Sequence, residues 1–109
     1  MHGASEPFAA SQDDLATAQV IDVRRAGMFD KAETLISGAS WRDPAAVAAW
    51  AHDVPRDKEV VVYCVYGHEV ARATVLRLRA QGVKARFPRG GIDAWQAAGR
   101  PVDPKVAAS

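Results

Sequence analysis

The stretch Val60-Val61-Val62-Tyr63-Cys64-Val65-Tyr66-Gly67-His68-Glu69-Val70 contains the chain's single cysteine. The run ahead of it is apolar, rich in β-branched residues and preceded by the turn sequence Val54-Pro55-Arg56-Asp57. That is the pattern of a strand buried on both faces, and it predicts a strand over Glu59–Cys64. From Glu69 the period changes. Ala71, Val75 and Leu78 fall on one stripe, with Arg72, Arg77 and Arg79 mostly outside it, which predicts a helix over Glu69–Gln81. Gly82 ends that helix, at a position that favours left-handed backbone. Cys64 therefore falls where a strand gives way to a helix. In open parallel sheets, ligands sit beyond the carboxyl ends of the strands. The free N–H groups and the dipole at a helix start favour negative charge there, and Gly67 lets the connecting loop curl its amides inward as an anion nest. Two readings stand side by side: a buried thiol acting as a small hydrophobe, and a nucleophile. This stretch alone does not separate them.

Outward from it, the chain alternates. Asp13 and Asp14 open a short helix to Ala18, and Gln19–Val23 is a buried strand. Arg24–Lys31 is polar, with a helical turn around Met28 and Phe29, and Ser37-Gly38 is a turn. Asp43 reads as an N-cap with Pro44 at the first helical position, giving a helix to about His52 with Val47 and Trp50 inward. Val83–Phe87 is a third strand, Gly90-Gly91 a turn, and Ile92–Ala98 a last helix stopped by Gly99. Alternating strands and helices define an α/β class with a central parallel sheet. The expected layout is an arm over 1–12, a domain over 13–104 and a tail over 105–109.

With 109 residues, 49% of them hydrophobic, the chain has material for one core without metal or disulfide staples. The net charge of +1 and the scattered Lys and Arg argue against nucleic acid or a membrane surface as partner. One cysteine cannot close an internal disulfide, and the opening MHGASEPFAASQDD has no apolar segment of a secretion signal, so a cytoplasmic location is expected. His2 and His52 have no metal-ligand spacing with Cys64, so no metal site is expected.

Taken together, these pieces resemble the rhodanese family. Val20-Ile21-Asp22-Val23-Arg24 is similar to its opening strand signature, and Ser37-Gly38-Ala39 follows in family order. Val60–Cys64, with a glycine-containing loop and a helix, resembles its active-site loop. Arg89-Gly90-Gly91-Ile92-Asp93-Ala94-Trp95, with Ala98-Gly99-Arg100-Pro101-Val102, resembles its closing signature. The resemblance covers roughly residues 19–103. It implies a rhodanese-like three-layer fold with helices on both faces of the sheet. It also implies a sulfurtransferase with Cys64 as persulfide carrier and with Val65, Tyr66, Gly67, His68, Glu69 and Val70 holding the sulfur donor. The implied partners are a small-molecule sulfur donor, a thiol acceptor and a sulfur-accepting protein, with no cofactor and a monomeric state. Cys64–Val70 and Trp41-Arg42-Asp43-Pro44 further resemble a subgroup linked to chromate- or metal-resistance operons.

The chain departs from that pattern in two places. Its loop offers His68 and Glu69 where thiosulfate-preferring relatives often carry basic side chains, and the usual Gly-His-Ile element is absent from Lys31–Leu35. Glu69 at a helix start is stabilising in its own right; turned into the pocket, it would favour a thiol-type donor over a dianion. Asp22 and Arg24 read as structural ties between the strand end and neighbouring loops. Two rivals stand beside the enzyme reading. One is a non-catalytic rhodanese module. The other is a phosphatase or arsenate reductase on the same fold, which needs an arginine where this chain has Val70.

Overall fold

The computed structural model describes residues 7–66 and 69–105. Strand β1 (Ala9–Ala10) is followed by a 3-10 turn (Gln12–Ala16) and β2 (Gln19–Asp22). Helix α1 (Ala26–Lys31), β3 (Thr34–Ile36) and β4 (Ser40–Trp41) come next. Then follow α2 (Val47–Trp50), flanked by 3-10 turns, β5 (Glu59–Tyr63) and α3 (Glu69–Ala80). The chain closes with β6 (Lys84–Pro88), α4 (Gly91–Ala97) and β7 (Val102–Pro104). Five strands form one parallel sheet in the order β1-β6-β5-β2-β4. β3 and β7 form a small antiparallel pair beside it. This is the expected α/β fold with a central parallel sheet.

The two-residue period of the strands sorts the core into two layers. Val60, Val62 and Cys64 join Ile21, Val23, Ala85 and Phe87 on one face, under Val47 and Trp50 of α2 and Ala71, Val75 and Leu78 of α3. Val61 and Tyr63 join Val20 on the other face, under Ile92 and Trp95 of α4, together with Leu15 and Ile36. Val60, Val61, Val62, Tyr63 and Leu78 are wholly buried, so β5 is the inaccessible centre of the sheet. Removing a side chain such as Leu78 to Ala costs about 2–5 kcal/mol. No helix among the described residues is long and apolar enough to cross a membrane.

Several expectations shift. Ala9–Ala10, read as part of a loose arm, pair with Phe87–Pro88, and the Phe87 N–H donates to the Phe8 carbonyl. Ala10 and Leu15 are buried, so the fold begins ahead of residue 13. At the other end Lys105 donates from its N–H to the Glu33 carbonyl and sets its ammonium over the Phe29 ring. The expected helix after Asp43 is broken into short pieces. Asp43 does cap Ala45, but its carbonyl takes both the Ala46 N–H and the Trp50 indole N–H, which holds that turn in a tighter i→i+3 pattern. Arg79, placed outside the helix stripe, instead lies 3.9 Å over the Phe8 ring and donates to the Ala85 carbonyl. The β3–β7 pair was not foreseen; three-residue strands carry too little pattern to be read.

Candidate functional site

Strand pairing stops at Tyr63, so Cys64 is the first residue past the end of β5 rather than its last residue. The reason lies in a second element. The Cys64 carbonyl accepts from the Ile92 N–H at 3.0 Å and the Val65 carbonyl from the Asp93 N–H at 2.9 Å. The start of α4 thus takes over the backbone groups that a neighbouring strand would otherwise pair. This docking is backbone against backbone. A Cβ on Gly91 would stand 2.3 Å from the Cys64 oxygen and 2.5 Å from the Val65 oxygen, and Gly91 has φ +56°. Gly90, at φ +79°, is equally confined: a Cβ there would meet the Ala94 Cβ at 2.4 Å. The Gly90-Gly91 turn is therefore what fixes the cysteine's backbone.

A second anchor lies below the loop. The Asp22 side chain is wholly buried, and Arg24 is 5% exposed. The Arg24 guanidinium grips the Asp22 carboxylate through Nε and Nη2, the latter at 2.6 Å, and also donates to the Thr34 carbonyl. The Tyr63 hydroxyl donates to Asp22 Oδ2 at 2.9 Å and accepts from the Ile36 N–H at 3.0 Å. Burial, and then the Asp22 carboxylate, push the Tyr63 phenol well above its ordinary value of 10.0. The Trp41 indole donates to the Arg24 carbonyl and its ring stacks on Phe29 at 4.9 Å. Asp22 and Arg24 are thus the expected ties, and they bind β2, β3 and β5 into one frame. In the Trp41-Arg42-Asp43-Pro44 stretch, Trp41 holds the Arg24 carbonyl, Arg42 lies over the Trp50 ring and Asp43 caps the next turn.

Above this frame a cleft of about 470 Å³ opens over Cys64. Its lining includes Cys64, Val65, Tyr66, Glu69 and Val70, five of the seven residues expected at the site, and adds Arg24, Arg25 and Met28. Gly67 and His68, the other two, lie outside the described residues. Cys64 is only 7% exposed, whereas Tyr66 is 58% and Met28 50% exposed. The cysteine is thus at the floor and two large apolar side chains are at the mouth. Glu69, whose orientation the sequence left open, is among the residues lining this cleft and is itself exposed. Arg25 and Met28 were missed because α1 is brought over the loop only by tertiary packing. The Gly90-Gly91 pair did leave a signal, in its two adjacent glycines.

Fold and site define a single α/β domain with a lone cysteine at the end of its central parallel strand. Residues 6–98 match the family model for the rhodanese-like domain, and the chain belongs to that family. No curated protein matches it. Among solved structures, a rhodanese-related protein from Thermoplasma volcanium is 24% identical, with a TM-score of 0.72 over 84% of this chain and 88% of that one. A full-length protein from Lactobacillus plantarum is 25% identical, with a TM-score of 0.72 over 86% and 78%. A rhodanese-like domain protein from Staphylococcus aureus is 20% identical, again with a TM-score of 0.72, over 92% of this chain and 98% of that one.

Proposed function

We propose that the chain is a sulfurtransferase that carries sulfur as a persulfide on Cys64. The observation that carries this reading is the placement of the lone cysteine at the floor of a cleft, one residue past the central strand, with its backbone clamped by α4. The Cys64 thiolate attacks the outer sulfur of a donor such as thiosulfate. A bond forms between the two sulfurs, the donor's S–S bond breaks, and sulfite leaves with the electron pair. An acceptor thiolate then attacks the terminal sulfur of the persulfide and departs as a new persulfide, which restores the Cys64 thiolate. Cyanide replaces the thiol in a test tube. The two steps share one covalent intermediate, so ping-pong kinetics follow. Val65, Tyr66, Gly67, His68, Glu69 and Val70 hold the donor in this reading. With Glu69 and Arg25 both on the cleft wall, a monoanionic persulfide suits the cleft better than the thiosulfate dianion. A role in chromate or metal resistance rests on the sequence resemblance of Cys64–Val70.

The competing reading, a non-catalytic module of the same family, draws on the low exposure of Cys64 and its membership of the core beneath α3. The two readings part on one assay, thiocyanate formation from thiosulfate and cyanide. Turnover by the wild type, lost in Cys64→Ser with the fold retained, is the expected result. Equal turnover by both proteins would end the persulfide-carrier reading.

A further inference from the structure

The buried frame of Asp22, Arg24 and Tyr63 fixes where α1 begins, but little in α1 itself fixes where it ends. The helix has six residues, buries none of them and has no side-chain cap at its start. Isolated helices shorter than roughly 12–15 residues are marginal in water, so α1 depends on contacts from outside. Yet it carries part of the Cys64 cleft. Met28 and the preceding Arg25 line that cleft, and Met28 is half-exposed at its mouth. The floor belongs to the end of β5 and the start of α4, so a shift of α1 changes the width of the mouth and leaves the floor in place.

The outside contact comes from β7, far away in sequence. That strand pairs antiparallel with β3, and this brings Lys105 beside the last turn of α1. The Lys105 backbone N–H donates to the Glu33 carbonyl at 2.8 Å. Its ammonium donates to the Phe29 carbonyl and, at 3.1 Å, to the Asp30 carbonyl. Carbonyls in the last turn of a helix lack an intrahelical partner and form the negative end of its dipole, so a cation suits them. The same ammonium lies 4.4 Å from the centre of the Phe29 ring. That ring also stacks on Trp41 at 4.9 Å, and the Arg24 guanidinium lies 5.4 Å from its centre. Phe29 is thus held between the frame below Cys64 and the strap that carries Lys105. Lys105 lies outside residues 6–98, which match the family model, so this anchor is beyond the matched domain.

We propose that Lys105 is a positioning residue for the site: by closing the C-terminal end of α1, it holds Arg25 and Met28 over Cys64 and sets how wide the cleft mouth opens. It acts through α1 and does not itself line the cleft. No chemistry at Cys64 is assumed, so the inference stands or falls apart from the sulfurtransferase reading. Without the ammonium, two carbonyls must turn to water, the Phe29 ring loses its cation, and α1 opens more often. A hydrogen bond to a charged group shifts such a local equilibrium by about tenfold or more.

The test reads access to Cys64. It is the chain's single cysteine, so any adduct seen by intact mass reports on it. Wild type, Lys105→Met and Lys105→Arg are reacted with a bulky reagent, N-phenylmaleimide, and a small one, iodoacetamide. The ratio of the two rates cancels changes in thiol reactivity and leaves the width of the mouth. Lys105→Met is expected to raise that ratio by about tenfold, whereas Lys105→Arg, which can donate to the same two carbonyls, stays within about twofold of wild type. Hydrogen exchange locates the opening: faster exchange over residues 26–32 with β5 unchanged is expected in Lys105→Met. An unchanged ratio in Lys105→Met, or the same raised ratio in Lys105→Arg, overturns the proposal. So does faster exchange that extends equally to β5, because Lys105 would then support the whole fold and not the mouth of this cleft.

Discussion

Gly91→Ala tests whether the α4 start really sets the position of the cysteine. Two costs are expected. The first is conformational: at φ +56° an alanine is in the left-handed region, at a cost of about 1 kcal/mol. The second is steric. A Cβ at 2.3 Å from the Cys64 oxygen and 2.5 Å from the Val65 oxygen has no room, and backbone atoms cannot swing aside as a side chain would. The gap must open by roughly 1 Å to restore ordinary contact, which strains the hydrogen bonds from Ile92 and Asp93 to these carbonyls. At about 1 kcal/mol per bond, the total is on the order of 3 kcal/mol. Gly99→Ala supplies the reference. Gly99 also has positive φ, +74°, but nothing lies within 4 Å of its would-be Cβ, so only the conformational cost of about 1 kcal/mol applies. Urea unfolding of both variants, at matched m-values, measures the difference. Sulfur transfer should fall by about 10²-fold in Gly91→Ala alone, as a displacement near 1 Å at a reacting group does. If the two variants agree within about 0.5 kcal/mol, the close approach is not a constraint and the clamp argument fails.

Other outcomes follow from the same geometry. Asp22→Asn leaves the Arg24 guanidinium buried without its counter-charge and should cost about 3–5 kcal/mol in urea unfolding; a loss below about 1 kcal/mol would contradict the buried tie. The raised folded-state value of Tyr63 has a definite sign: its contribution to stability is complete below the unfolded value of 10.0 and is lost as pH rises above it. Phenolate absorbance should therefore show one of the two tyrosines ionising above that pH only as the protein unfolds, whereas in urea both titrate; two tyrosines titrating in the native state would refute it. Phe8→Ala removes the ring under Arg79, and should lower stability by about 1–2 kcal/mol if β1 belongs to the fold; proteolysis at Ala9–Ala10 at the rate of an unfolded chain would argue for a loose arm.

What the sequence disclosed tracks the length and regularity of each pattern. The run Val60–Tyr63 and the stripe Ala71, Val75, Leu78 are long, periodic signals, and both strand β5 and helix α3 are where they predict. The cysteine's place at a strand end followed from those two alone. The α4 clamp was half visible: two adjacent glycines mark a turn, but nothing local says that their backbone meets Cys64 and Val65. Ala9–Ala10 lacks β-branched residues and takes its strand form from Phe87 and Pro88 beside it. Likewise Arg25 and Met28 reach the cleft only because the Asp22–Arg24–Tyr63 frame sets the direction in which the chain leaves β2.

The most direct measurement of the central claim is the intact mass of the protein after incubation with thiosulfate or a persulfide donor, before and after a reducing thiol. The account predicts a gain of one sulfur on the wild type, removed by the thiol and absent from Cys64→Ser. A wild-type mass unchanged by every donor, or the same adduct on Cys64→Ser, would contradict it.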